Sequence, residues 1–225
     1  MGPKRRTGRR VLAAALSIAT VGLLGLGTSS LATASPRAAV THDAPRVSKR
    51  ALHDGMLRLW VDHVTWTRLF IVSFAGALPD LQPTTDRLLQ NQVDIGNAIK
   101  PFYGKQAGNQ LTDLLTDHIL TAAKLLQAAK AGDTAAFDSA KADWYANARD
   151  IATFLHQANP SHWSLKDMRS MMKTHLDLTL QEAAQQLGGD FAASVATYDK
   201  VETEILHMAN MLSAGIVAQF PSMFR

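Results

Sequence analysis

From residue 47 onward, apolar side chains return every three or four positions, and no stretch alternates as a β-strand does. That period lines them up on one face of an α-helix, so the pattern predicts an all-α chain. Met56, Trp60, Val64, Thr67, Phe70 and Phe74 mark a first long helix, which stops before Pro79-Asp80 and Pro83. A second is expected from about Thr84 to Lys100, closed by Pro101 and Gly104. A third runs from about Ala107 to Lys130 and breaks at Gly132-Asp133. The fourth covers about Thr134 to Ala158 and ends at Asn159-Pro160. Ser164, with Asp167 three residues on, is an N-cap signal for a fifth. That helix breaks at Gly188-Gly189-Asp190, and a sixth reaches about Phe220. Residues 47–225 are therefore expected to form one antiparallel helical bundle, about six helices arranged as three helical hairpins.

An internal repeat runs through this pattern. His118 stands 14 residues before Gly132, and His175 stands 14 before Gly189. At the same offset of 57, Asn147 matches Glu204, Ile151 matches Met208 and Leu155 matches Leu212. A looser first copy pairs Asp62-His63 with Asp117-His118, and Asn91 with Asn147.

The repeat carries polar residues onto faces that should be buried. His63 falls on the stripe 56, 60, 63, 67, 70, His118 on 111, 115, 118, 122, 125, and His175 on 168, 172, 175, 179. Asn91, Asn147 and Glu204 take similar places on the following helices. In an antiparallel hairpin, residues equally far from the turn share a level, so His118 should meet Asn147 and His175 should meet Glu204. A layer of three imidazoles and a carboxylate, His63, His118, His175 and Glu204, is a donor set for zinc, iron or copper, with Asn91 and Asn147 orienting the rings. A carboxylate-bridged di-iron site needs Glu-x-x-His on two helices, and only Glu204 with His207 has that spacing. The competing reading is structural: buried His and Asn can satisfy one another across helices and set their register.

Methionines lie beside the layer. Met168 and Met172 precede His175, while Met208 and Met211 follow Glu204. Thioethers with imidazole suit Cu(I) or a haem axial pair, which makes these four cofactor-binding candidates. Against that, Met is a common filler of irregular helical cores.

The N-terminus has a different grammar. Lys4, Arg5, Arg6, Arg9 and Arg10 precede an apolar run from Val11 to Gly27 and then Ala32-Thr33-Ala34. Basic head, apolar middle and A-x-A site predict a secretion signal over residues 1–34, with a flexible leader over 35–46. The chain has 23 Lys and Arg against 19 Asp and Glu. Five of the bases lie before Ser35, so 18 remain and the mature net charge falls from +4 to −1. A near-neutral chain has no electrostatic footprint for nucleic acid and no cationic face for anionic lipid. With no cysteine there is no disulfide, thiolate metal site or lipid-modified Cys. The expected product is secreted or held in the cell envelope, not inserted in a membrane after cleavage.

No Walker-type loop, dinucleotide-binding turn, nucleophile elbow or H-E-x-x-H motif occurs. No catalytic residue can be named. Two functions remain: an extracytoplasmic bundle that binds an envelope partner or small ligand, possessing a metal or not; or a redox or hydrolytic enzyme using an open metal position in the same layer.

The segments LRLWVDHVTWTRLF (57–70), NQVDIGNAIKPFYG (91–104) and WYANARDI (144–151) resemble a family of small bacterial all-helical proteins carrying an LWxxHVxWTR motif. The resemblance covers residues 51–220 and implies an all-helical fold. Some members carry the names glycosyltransferase or acetylglutamate kinase, activities whose folds need nucleotide-binding α/β sheets. This chain predicts none.

Overall fold

The computed structural model describes residues 48–225. The predicted signal and the leader lie outside the described residues. Those that are described form five α-helices and a terminal 3-10 turn, with no strand: α1 (Lys49–Gly76), α2 (Leu81–Ala131), α3 (Thr134–Ala158), α4 (Leu165–Leu187) and α5 (Phe191–Gln219). The helices pack together through α1 on α2 and α5, α2 on α3, α3 on α4, and α4 on α5.

Short polar side chains start four of the helices. Ser48, Asp133, Ser164 and Asp190 each accept a hydrogen bond from the backbone N–H three residues on, satisfying a donor that the first turn leaves open. Gly132, at φ 70°, ends α2 in the left-handed conformation that glycine takes at least cost. Pro83 is no barrier to α2, because it lies in the first turn, where its missing N–H has no intrahelical partner.

The break expected between the second and third helices takes one residue, with no loop. Helix continues through Pro101, and Gly104 alone leaves helical space, at φ 85° and ψ 169°. Helix resumes directly after Gly104, so the two expected helices run on as the two limbs of α2. A straight helix would hold Gly96 and Gly108 about 18 Å apart. Instead a Cβ built on Gly96 would come 2.5 Å from the Gly108 carbonyl oxygen, and one on Gly108 2.6 Å from that of Gly96. The two limbs of α2 therefore turn back on each other at Gly104 and touch backbone to backbone, a contact only glycine allows.

A large apolar cluster includes Trp60, Leu115, Trp144, Ile151, Met168, Leu176, Ile205 and Met208. A smaller one contains Phe70, Ile71, Leu88, Ile119, Leu126 and Ala183. His63, His118 and His175 lie in chain order between members of the two clusters, each at most 4% exposed.

Candidate functional site

The buried histidines come from α1, α2 and α4 and lie side by side. The ring of His175 lies 5.7 Å from that of His63 and 6.4 Å from that of His118, centroid to centroid. Trp60 meets His63 edge-on at 5.7 Å, and Trp144 lies 5.3 Å from His118. Helical spacing explains why they meet in the interior, since each histidine is the interior residue of an apolar stripe.

Both expected cross-helix pairs are present. Asn147 donates its amide N–H to the Leu114 carbonyl at 3.0 Å, so its oxygen faces His118 Nδ1 at 2.9 Å. His118 therefore carries its proton on Nδ1 and keeps a lone pair on Nε2. His175 Nδ1 lies 3.3 Å from Glu204 Oε2, an ion-pair distance, but the two are not aligned for a hydrogen bond. On α2, Asn91 donates to the Leu59 carbonyl at 3.0 Å. Leu59 and Leu114 each precede a layer histidine by four residues, so Asn91 and Asn147 make the same bond. Glu204 has no N–H with which to make a third.

Burial sets the electrostatics. It holds His63 well below the ordinary imidazole range, and the neighbouring His175 and His118 push the same way. The Gln92 and Asn91 side chains oppose this without overcoming it. Burial, then His175, lowers His118 to about 3, against a smaller upward pull from Asn147. Both rings are neutral at physiological pH and can act as lone-pair donors.

Polar atoms without partners gather here. His63 Nδ1, His175 Nδ1, both Glu204 carboxylate oxygens, Gln92 Oε1 and the indole nitrogens of Trp60 and Trp144 are buried and make no hydrogen bond. Each such group costs about 1–3 kcal/mol, against a total stability of about 5–15 kcal/mol for a domain. These seven atoms belong to six side chains, and six such groups in one neighbourhood is a large fraction of that total. One turn along, Thr67, Ala122 and Thr179, each four residues past a layer histidine, help line an otherwise apolar cavity of about 30 Å³ that Trp144 also borders.

As the side chains stand, no three His, Asp or Glu among the described residues are grouped so as to hold a metal ion. The rings of His63, His118 and His175 and the carboxylate of Glu204 share a neighbourhood without converging on one point. His207 is exposed, so its spacing from Glu204 reflects the helix surface. Met168, Met172 and Met208 are core residues, and Met211 packs against that core. Asp117 and Asp150 are exposed, while Asp62 pairs with Arg87 at 3.2 Å.

Several polar residues escaped the sequence pattern. Gln92 is fully buried and donates to the Leu88 carbonyl and to Asn91 Oδ1. Glu182 is 1% exposed and accepts a 2.7 Å bond from Arg68, which also reaches Ser194 and lies over the Tyr198 ring. Continuing the α4 stripe past Thr179 by three residues would have found Glu182. Gln92 had no such signal, since it sits one residue from Asn91 and its burial depends on which helices flank α2. No family model, curated protein or solved structure matches the chain.

Proposed function

We propose that this protein is an extracytoplasmic binding bundle whose binding element is the buried layer of His63, His118, His175 and Glu204, braced by Asn91 and Asn147. The concentration of unpartnered buried polar atoms in this layer carries the reading: native interiors satisfy such groups with protein, water or a guest. Neutral imidazoles beside a carboxylate suit a transition metal of the zinc, iron or copper class. Seating an ion requires the rings to turn, since ligand distances are about 2 Å.

Extracytoplasmic location rests on the basic, apolar and A-x-A sequence of residues 1–34. No helix among the described residues is long and apolar enough to cross a membrane. The six-helix, three-hairpin arrangement and its internal repeat are part of the same reading. They rest on the turn at Gly104 and on the matched Asn91 and Asn147 bonds. Kinship with the LWxxHVxWTR proteins belongs to the same proposal and rests on the segments 57–70, 91–104 and 144–151.

Elemental analysis of protein from an exporting host, beside a variant with His63, His118 and His175 all changed to Gln, tests the reading. Near-stoichiometric metal that the folded variant lacks is the expected result. No metal, and none taken up from added zinc, iron or copper salts, would leave the layer a structural one.

A further inference from the structure

A second feature lies on the outside of the bundle, where α3 packs against α4. Tyr145, Ala148 and Arg149 of α3 and Arg169, Met172 and Lys173 of α4 enclose a groove of about 250 Å³. Its floor is apolar, since Ala148 and Met172 are buried at 3% and 5% exposure. Its rim is cationic. The Tyr145 hydroxyl donates to Asp177 on α4 at 2.6 Å, which fixes the register between the helices. Because they run antiparallel, Arg149 one turn past Tyr145 comes opposite Lys173, and Arg169 follows a turn further along α4.

Charges of one sign across a helix seam repel unless something negative lies between them. Neither Arg149 nor Arg169 belongs to an ion pair among the described residues. The acid at this seam, Asp177, is already shared by Lys173 and Tyr145. Lys141 lies within electrostatic reach of Asp177 as well. Arg149, Arg169, Lys173 and Lys141 thus have one acid, Asp177, among them along this seam.

We propose that this groove binds a small organic anion, a carboxylate or phosphate joined to an apolar group. Arg149 and Arg169 present guanidinium forks that match the planar or tetrahedral oxygens of such a headgroup. Lys173 supplies a third charge. The apolar part rests on Met172 and Ala148 beside the Tyr145 ring. This site is separate from the buried histidine layer and does not depend on it.

Calorimetric titration of the purified protein with phenyl phosphate, benzoate and inorganic phosphate tests the assignment. The rim residues are exposed, so R149Q, R169Q and the double variant should fold normally. One molecule of phenyl phosphate or benzoate should bind per chain, more tightly than inorganic phosphate, which lacks the apolar part. Each single variant should weaken binding about tenfold, the order expected for one charge-assisted hydrogen bond near solvent, and the double variant should abolish it. K124Q, an exposed cation on α2, should leave it unchanged. In anion-free buffer R149Q should melt higher than the parent, because the repulsion is relieved. Sedimentation with phosphatidylglycerol vesicles separates the sources: loss of co-sedimentation in the double variant makes a lipid headgroup the ligand, and none in the parent makes it a soluble molecule. Equal binding by parent and double variant, or no binding of any probe up to about 10 mM, would overturn the proposal.

Discussion

Acid should destabilise this protein through its buried imidazoles, and His118 allows the size to be worked out. In the unfolded chain His118 titrates near its ordinary value of 6.5, whereas in the folded protein burial holds it at about 3. Between those values the unfolded state binds a proton that the folded state refuses. Stability from this group is therefore fully present above pH 6.5 and is lost as pH falls toward 3. The slope is about 1.4 kcal/mol per pH unit, and by pH 4.5 the loss is about 2.7 kcal/mol. His63 is shifted in the same direction and adds to the loss. Glu182 works the other way: burial raises its carboxyl, so the folded state takes up a proton more readily there and acid offsets part of the loss. Urea unfolding of chelator-treated protein at half-unit steps from pH 7.5 to 4.5 measures the sum. Repeating it with H118Q isolates one ring, since a glutamine amide can still donate to Asn147 but cannot titrate. The stability gap between the two proteins should close by about 1.4 kcal/mol for each pH unit below 6.5. Parallel profiles would refute the claim that burial keeps His118 neutral.

Three further outcomes follow from packing. Changing Arg68 to Ala should cost about 3–5 kcal/mol in urea unfolding at pH 7, because it leaves the Glu182 carboxylate buried without its cation. Lowering the pH should recover part of that cost by neutralising Glu182. Changing Gly108 to Ala should lower the melting temperature far more than Gly132 to Ala. The first drives a Cβ into the Gly96 carbonyl, while the second meets open space and adds only the left-handed strain of about 1 kcal/mol. Changing Met172 to Leu should cost under about 1.5 kcal/mol, as expected of a core filler, and should leave any bound metal in place.

Helical class, the caps at Ser48, Asp133 and Ser164, and the stop at Gly132 depend on neighbours within a few residues, so the local sequence determines them. The meetings of His118 with Asn147 and of His175 with Glu204 were legible for a related reason. Two helices joined by a tight turn have a register set by counting from that turn. Counting fails where the turn is not what it seems: Pro101 and Gly104 read as a helix end followed by a loop, yet a single residue makes the whole reversal. Whether three imidazoles on different helices point at one spot is a matter of helix rotation and ring angle. Both depend on how side chains from different helices, such as Trp60 against His63 and Trp144 against His118, pack together, which periodicity does not encode. The Arg68–Glu182 pair and the α3–α4 groove likewise join residues far apart in the chain. Their energies exist only once packing has removed water or brought charges of one sign together, and that is decided by the tertiary structure alone.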